Sequence, residues 1–195
     1  MDPRIERSRH AVLEATVDLL AEGGYAALSI DAVSQRSGVA RTTIYRHWSG
    51  LPELVLDVCS TFKPELPRVP SDDPRDDLRL MYRSLAHALV DSRWGAVLPS
   101  LLDASARDPE VRALQTGFVA ERRAGSAAIV QRLIDAGDLP CDADAMRVAD
   151  RLASQLFYRH LLSHDPIDDE FVDSIIDEAL GPDLVGRAPR ASRQE

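Results

Sequence analysis

One window of the chain, residues 29–48, limits its folding more than any other feature. It reads Ser-Ile-Asp-Ala-Val-Ser-Gln-Arg-Ser-Gly-Val-Ala-Arg-Thr-Thr-Ile-Tyr-Arg-His-Trp. Two short apolar-periodic runs, 30–37 and 41–47, are separated by Gly38. Helices this short are not stable alone, so they must lock against each other at a steep angle. Ile30, Val33, Val39, Ile44 and Trp48 supply the apolar contacts. Ser34 and Ser37 are small enough for the places where two helices nearly touch, and Gly38 can enter the left-handed backbone region at the turn. Ser29 stands at the N-cap position, where its hydroxyl can accept from an unpaired backbone N–H. The window has the layout of a helix-turn-helix.

If Ile44 and Trp48 point inward, then Arg41, Thr42, Thr43, Tyr45, Arg46 and His47 are left outward, with Ser29 at the start of the preceding helix. That face is polar, aromatic and cationic, with no acid in it. It suits the major groove of double-stranded DNA. Arg can pair with guanine O6 and N7, and Thr can meet a thymine methyl or a phosphate. Tyr and His reach phosphate oxygens most naturally. The plainer alternative is a solvated face on a small three-helix core.

The rest of the chain reads as helix throughout. Residues 4–22 repeat apolar side chains at three- and four-residue steps (Val12, Leu13, Thr16, Val17, Leu19, Leu20) and stop at Gly23-Gly24. Gly50-Leu51-Pro52-Glu53 opens a fourth helix that runs through Leu54, Val55, Val58 and Phe62. Pro64, Pro67, Pro70 and Pro74 mark 63–74 as a linker. Helical patterns follow over 75–91, 94–106, 110–136, 142–163 and 168–180. The expected fold is therefore all-α: a head over 1–50, a connecting helix and linker over 51–74, a larger helical body over 75–182, and an unstructured tail over 183–195. Only 5% of the 195 residues are aromatic and Ala, Leu and Arg are abundant, which argues against a sandwich or barrel.

A net charge of −9 is unusual for a nucleic-acid binder, so its distribution matters. Residues 1–50 carry six Arg against six acids, leaving the whole deficit on 51–195. Phosphate contacts are short-range and screened beyond about 10 Å at 0.1 M salt, so an acidic body is compatible with a neutral head. It excludes a broad basic clamp. Cys59 and Cys141 have neither zinc nor disulfide-framework spacing, which fits a reducing cytoplasm. The N-terminus has no apolar signal region and no run is long enough to span a bilayer, so a cytoplasmic location, on the nucleoid when DNA-bound, is expected. No phosphate loop, nucleophile elbow or carboxylate pair suggests an enzyme, and no cofactor is expected. The one metal candidate is His160 with His164, which an α-helix would place on one face. A third ligand is missing, and a metal-binding protein is the weaker reading.

Residues 38–48, Gly-Val-Ala-Arg-Thr-Thr-Ile-Tyr-Arg-His-Trp, together with Glu22-Gly-Gly-Tyr25 and Leu28-Ser-Ile30, resemble the signature of the TetR family of bacterial regulators. The resemblance covers 4–54. It implies a three-helix DNA-binding head, a connecting helix, and a body that dimerises and usually receives a small-molecule effector. It therefore implies a repressor that binds a palindromic operator as a homodimer; a TetR-like protein without an effector is the alternative. The resemblance further implies that the last two helices pair across a two-fold axis, with Leu152, Leu156, Leu161, Phe171, Ile175 and Ile176 as interface candidates. Inward-facing Tyr82, His87, Trp94, Phe118, Phe157 and Tyr158 would line the effector pocket. The chain departs from the family at Leu51, where a phosphate-touching Lys or Arg is usual.

Overall fold

The computed structural model describes residues 3–61 and 70–181. Phe62, most of the expected linker and the expected tail lie outside the described residues. Among those residues the chain forms α1 (Pro3–Gly23), a 3-10 turn (Tyr25–Ala27), α2 (Ile30–Ser37), α3 (Arg41–His47), α4 (Leu51–Thr61), α5 (Pro74–Val90), α6 (Arg93–Arg107), α7 (Pro109–Asp135), α8 (Ala145–Tyr158), a π-helical turn (Arg159–Ser163) and α9 (Asp169–Leu180). No strand occurs among them.

Polar side chains set many of the helix starts. Ser29 accepts from Ala32 N at 3.0 Å, Ser92 from Trp94 N at 3.1 Å, and Asp168 from Phe171 N at 2.8 Å. Asp144 accepts from Met146 N and Arg147 N, which is why the helix expected from 142 begins at Ala145. Its far end also departs from the expectation. Past Tyr158 the backbone widens to π geometry, and His164, at φ 57°, closes the turn by donating its N–H to Arg159 O at 2.7 Å.

By packing, the chain divides into two compact units: Met1–Pro64 with His87–Arg122, and Glu65–Ala86 with Arg123–Glu195. The division cuts through α5 and α7 and across the sequence boundaries at 50, 74 and 182.

In the first unit Val12, Leu20, Val33, Ile44, Leu54, Val58 and Val97 are all buried. Each such side chain contributes about 1.5–3 kcal/mol when fully withdrawn from water. Helix α6 is tied to α1 by Arg93, which pairs with Glu14 at 2.9 Å and with Asp18, and by Ser100 Oγ, which donates to Leu20 O at 3.3 Å. The tight exit from α1 needs glycine: a Cβ on Gly23 would lie 2.6 Å from the Ala27 Cβ.

In the second unit Leu78, Leu133, Leu152, Leu156, Ile175 and Ile176 form the buried centre. Polar groups there are satisfied. Tyr82 Oη meets Ser126 Oγ at 2.7 Å and donates to Ala149 O at 2.9 Å, and burial pushes its phenol up to about 12. Asp77, 2% exposed, accepts from Arg132 and from Ser71 N at 3.1 Å, while Arg132 also donates to Ser71 O at 2.5 Å. Burial pushes the Asp77 carboxyl up, but Arg132 and Ser71 outweigh it and hold the group below its ordinary value. Along α5, Arg79 reaches Asp173 and Asp177 on α9, and Arg83 reaches Asp169 and Asp173.

Candidate nucleic-acid interface

The α2–α3 pair is locked from three directions. Val33, Ile44 and Trp48 are buried, with Ile30 and Val39 half-buried beside them. At the turn Gly38 adopts φ 70°, the left-handed conformation that costs other residues most. The two serines do more than leave room. Ser34 Oγ donates to Val39 O at 2.8 Å, and Ser37 Oγ accepts from Val39 N at 3.2 Å, so both polar groups of the turn residue are held. Arg36 forks onto Glu22 at 2.9 and 2.7 Å, pinning α2 to the end of α1. That hydrogen bond holds the Glu22 carboxyl below its ordinary value.

Asp57 on α4 organises the other side. It accepts two bonds from Arg9 at 2.6 and 2.7 Å, one from Trp48 Nε1 at 2.9 Å and one from Ser60 Oγ at 3.2 Å. One carboxylate thus joins α1, the end of α3, and α4. Sequence reasoning missed it, although an acid within the apolar run Leu54, Val55, Val58, near a Trp indole, was the available signal.

With the helices fixed in this way, four of the six residues expected outward on α3 are exposed. Arg41, Thr42, Tyr45 and Arg46 are exposed, Tyr45 at 56%, while Thr43 and His47 are half-buried. His47 lies against Trp48 at 5.5 Å between centroids. Arg41 pairs with Asp31 at 2.6 Å; both side chains are well exposed, so a phosphate can replace that carboxylate at little cost. Thr42, Tyr45 and Arg46 have no hydrogen-bond or ionic partner among the described residues. Ser29 is exposed, with its hydroxyl engaged as the α2 cap.

At the start of α4, Leu51 is half-buried. Glu53 accepts from Ser49 N at 2.6 Å and Ser49 Oγ at 2.7 Å, and those bonds hold its carboxyl below the ordinary value. The terminus where a cation would sit therefore carries an ionised acid.

The model of bacterial regulatory proteins of the tetR family matches residues 12–58, and that of the tetracyclin repressor-like C-terminal domain matches residues 69–179. The chain belongs to the TetR family. It is 30% identical over 180 residues to the uncharacterized HTH-type transcriptional regulator YdeS of Bacillus subtilis, covering 91% of this chain and 90% of that one. It is 28% identical over 188 residues to the DNA-binding transcriptional repressor TetR of Mycobacteroides abscessus, covering 92% and 95%. Among solved structures, the TetR family transcription regulator SCO0332 superposes with a TM-score of 0.67 at 28% identity, covering 89% of this chain and 96% of that chain. Like these relatives, the TetR-family chain described here is a helix-turn-helix transcriptional regulator.

The remaining site expectations need correction in part. Leu152, Leu156, Ile175 and Ile176 are 2% exposed or less within a single chain. Side chains already withdrawn from water by their own fold have no surface to offer a second copy. Leu161 and Phe171 are half-buried, with the Arg159 guanidinium 3.4 Å above the Phe171 ring. Outward instead are Tyr158 at 58% and Leu162 at 69%. Of the proposed pocket residues, Tyr82 and Trp94 are buried, while Phe118 and Phe157 are half-buried. His87 and Tyr158 face outward on this chain, contrary to the inward expectation, because each falls on the solvent side of its helix. Trp94 and Phe118 come together, with centroids 6.3 Å apart.

His160 lies within the π-helical turn and His164 caps it in the left-handed conformation, so the pair does not stand on a regular α-helix. Among the described residues no three His, Cys, Asp or Glu gather as a metal site. Burial pushes the Cys59 thiol up to about 12. No helix among the described residues is long and apolar enough to cross a membrane.

Proposed function

We propose that this TetR-family regulator is a homodimeric repressor. On this reading it lays α3 of each copy into the major groove of a two-fold-symmetric operator and is released by a small-molecule effector in the body. The observation that carries this reading is the outward face of α3. Thr42, Tyr45 and Arg46 stand on a rigidly locked helix with no intramolecular partner among the described residues, and no acid lies on that helix. Polar groups held in place and unsatisfied are what base edges and phosphates require. Thr42 is assigned to a base edge, and Tyr45, Arg46, Arg41 and His47 to phosphates or guanine. The likeness to a relative named as a DNA-binding transcriptional repressor supports the direction of regulation.

A single head reads few base pairs, so useful affinity needs two heads on half-sites about one helical turn or somewhat more apart. The outward pair Tyr158 and Leu162, with Phe157 and Leu161 beside them, supports pairing through the α8 end across a two-fold axis. The test is to select the genomic DNA fragments this protein retains and footprint them. A two-fold-symmetric protected region is expected. An asymmetric footprint from one bound copy would overturn the reading.

A further inference from the structure

Arg122 on α7 is the cation in the first unit whose surroundings ask most plainly for an anion. Its side chain is half-buried, its Nε is withdrawn from solvent, and that N–H has no hydrogen-bond partner among the described residues. The neighbouring residue shows what a satisfied arginine looks like on this helix: Arg123 forks onto both Asp150 oxygens at 2.6 Å. Arg122 has no carboxylate partner there. Its guanidinium instead lies 4.6 Å from the centroid of the Phe118 ring, and Phe118 in turn packs against Trp94 on α6.

A buried guanidinium donor left unpaired is costly, and the aromatic face offsets only part of that cost. A guanidinium over a ring also keeps its in-plane N–H donors for a planar two-oxygen acceptor, which a carboxylate matches best. The half-buried Phe118 ring, backed by the buried Trp94, offers a flat apolar neighbour.

We propose that Phe118 and Arg122 form the recognition point for an aromatic carboxylate, with Arg122 holding the carboxylate and the half-buried Phe118 ring, backed by the buried Trp94, contacting the aromatic body. The inference rests on the effector reading and gives it a ligand class. Trp94, behind Phe118, directly follows Arg93 in the chain, and the Arg93 guanidinium grips Glu14 and Asp18 of α1. The ligand would thus sit in the packing unit that contains the DNA-binding helices.

The test uses 1-naphthylacetate and its uncharged amide as a matched pair, titrated calorimetrically into the full-length protein. The carboxylate is expected to bind at least about tenfold more tightly, the margin of one charge-assisted hydrogen bond. Arg122→Gln should bring the two to within about twofold, and Arg122→Lys should keep a reduced preference for the carboxylate. Retained operator binding by each variant certifies its fold. If Arg122→Gln fails that check, the Lys variant against wild type carries the comparison. Wild-type protein that binds both probes alike, or neither up to millimolar concentration, overturns the proposal. So does an Arg122→Lys or Arg122→Gln variant with undiminished preference. Carboxylate binding through Arg122 that leaves operator affinity unchanged supports the site and removes the effector reading instead.

Discussion

The α2–α3 pair and the α8–α9 pair follow the same packing rule but leave different residues outside. In α2–α3 the apolar side chains Val33, Ile44 and Trp48 all turn inward, and what remains outside is polar and cationic. In α8–α9 the inward face takes Leu152, Leu156, Ile175 and Ile176, yet Tyr158 and Leu162 are still left in solvent. In the first pair the exposed face of α3 is Arg41, Thr42, Tyr45 and Arg46, with no exposed aliphatic side chain. The second has apolar side chains left over, and these, not the buried leucines and isoleucines, are available to a second copy. An interface is read from what the fold fails to bury.

The sharpest way to break this contrast is to empty a core position in each pair. Ile44→Ala and Leu156→Ala should each lower stability by about 2–5 kcal/mol, read from chemical or thermal unfolding. For Leu156→Ala the loss should not depend on protein concentration. If it shrank or grew with concentration, Leu156 would belong to an interface after all.

The anchor of the second unit gives the next largest effect. Asp77→Asn removes the charge that Arg132 and Ser71 N share and should cost roughly 2–3 kcal/mol, discounted because Arg132 is one-third exposed. The sign with pH follows from a depressed carboxyl. The Asp77 contribution is complete above the unfolded pKa of about 4 and is lost as pH falls through the lower folded value. Unfolding curves of wild type and Asp77→Asn should therefore converge in acid and separate at neutral pH. A constant gap across that range would show that the carboxylate charge is not what holds the anchor.

These contrasts also bear on what could be read from sequence. Residues 30–37 and 41–47 were legible to the residue, because short helices leave no slack: Ser29, Gly38 and Trp48 each had one role that fitted. The polar face of α3 followed directly. Asp57 was not legible, because its partners Arg9 and Trp48 come from two other elements and only folding brings them together. The facing surface of the C-terminal pair was not legible for a related reason. Periodicity marks a residue as apolar-facing but does not say whether the facing surface is its own chain or another. Likewise the π turn at 159–163 has no composition of its own, so a continuous helix over 142–163 was the natural reading.

On the DNA side the effects become smaller. Thr42→Ala should relax sequence preference by about 1–3 kcal/mol if Thr42 meets a base edge, whereas Tyr45→Phe should weaken operator and scrambled DNA alike. Titration of both variants against both DNAs distinguishes the roles, and the opposite pattern would show that they are exchanged.

The smallest effect is expected at Leu51. Lys there would add about one phosphate contact per head, so the log–log salt dependence should steepen by up to about 1.8 per dimer. Glu53, ionised on the same helix terminus, works against that gain. An unchanged slope with a lowered melting point would mean that half-buried Leu51 serves the core instead.

The grip of Arg93 on α1 also constrains how this regulator can be recombined with others. A hybrid built by joining its first 61 residues to a foreign body would leave Glu14 and Asp18 facing whatever residue begins the new sixth helix, and would strip Leu20 O of its Ser100 donor. A foreign body therefore has to supply an arginine for Glu14 and Asp18 and a donor for Leu20 O if the transplanted helices are to keep these contacts.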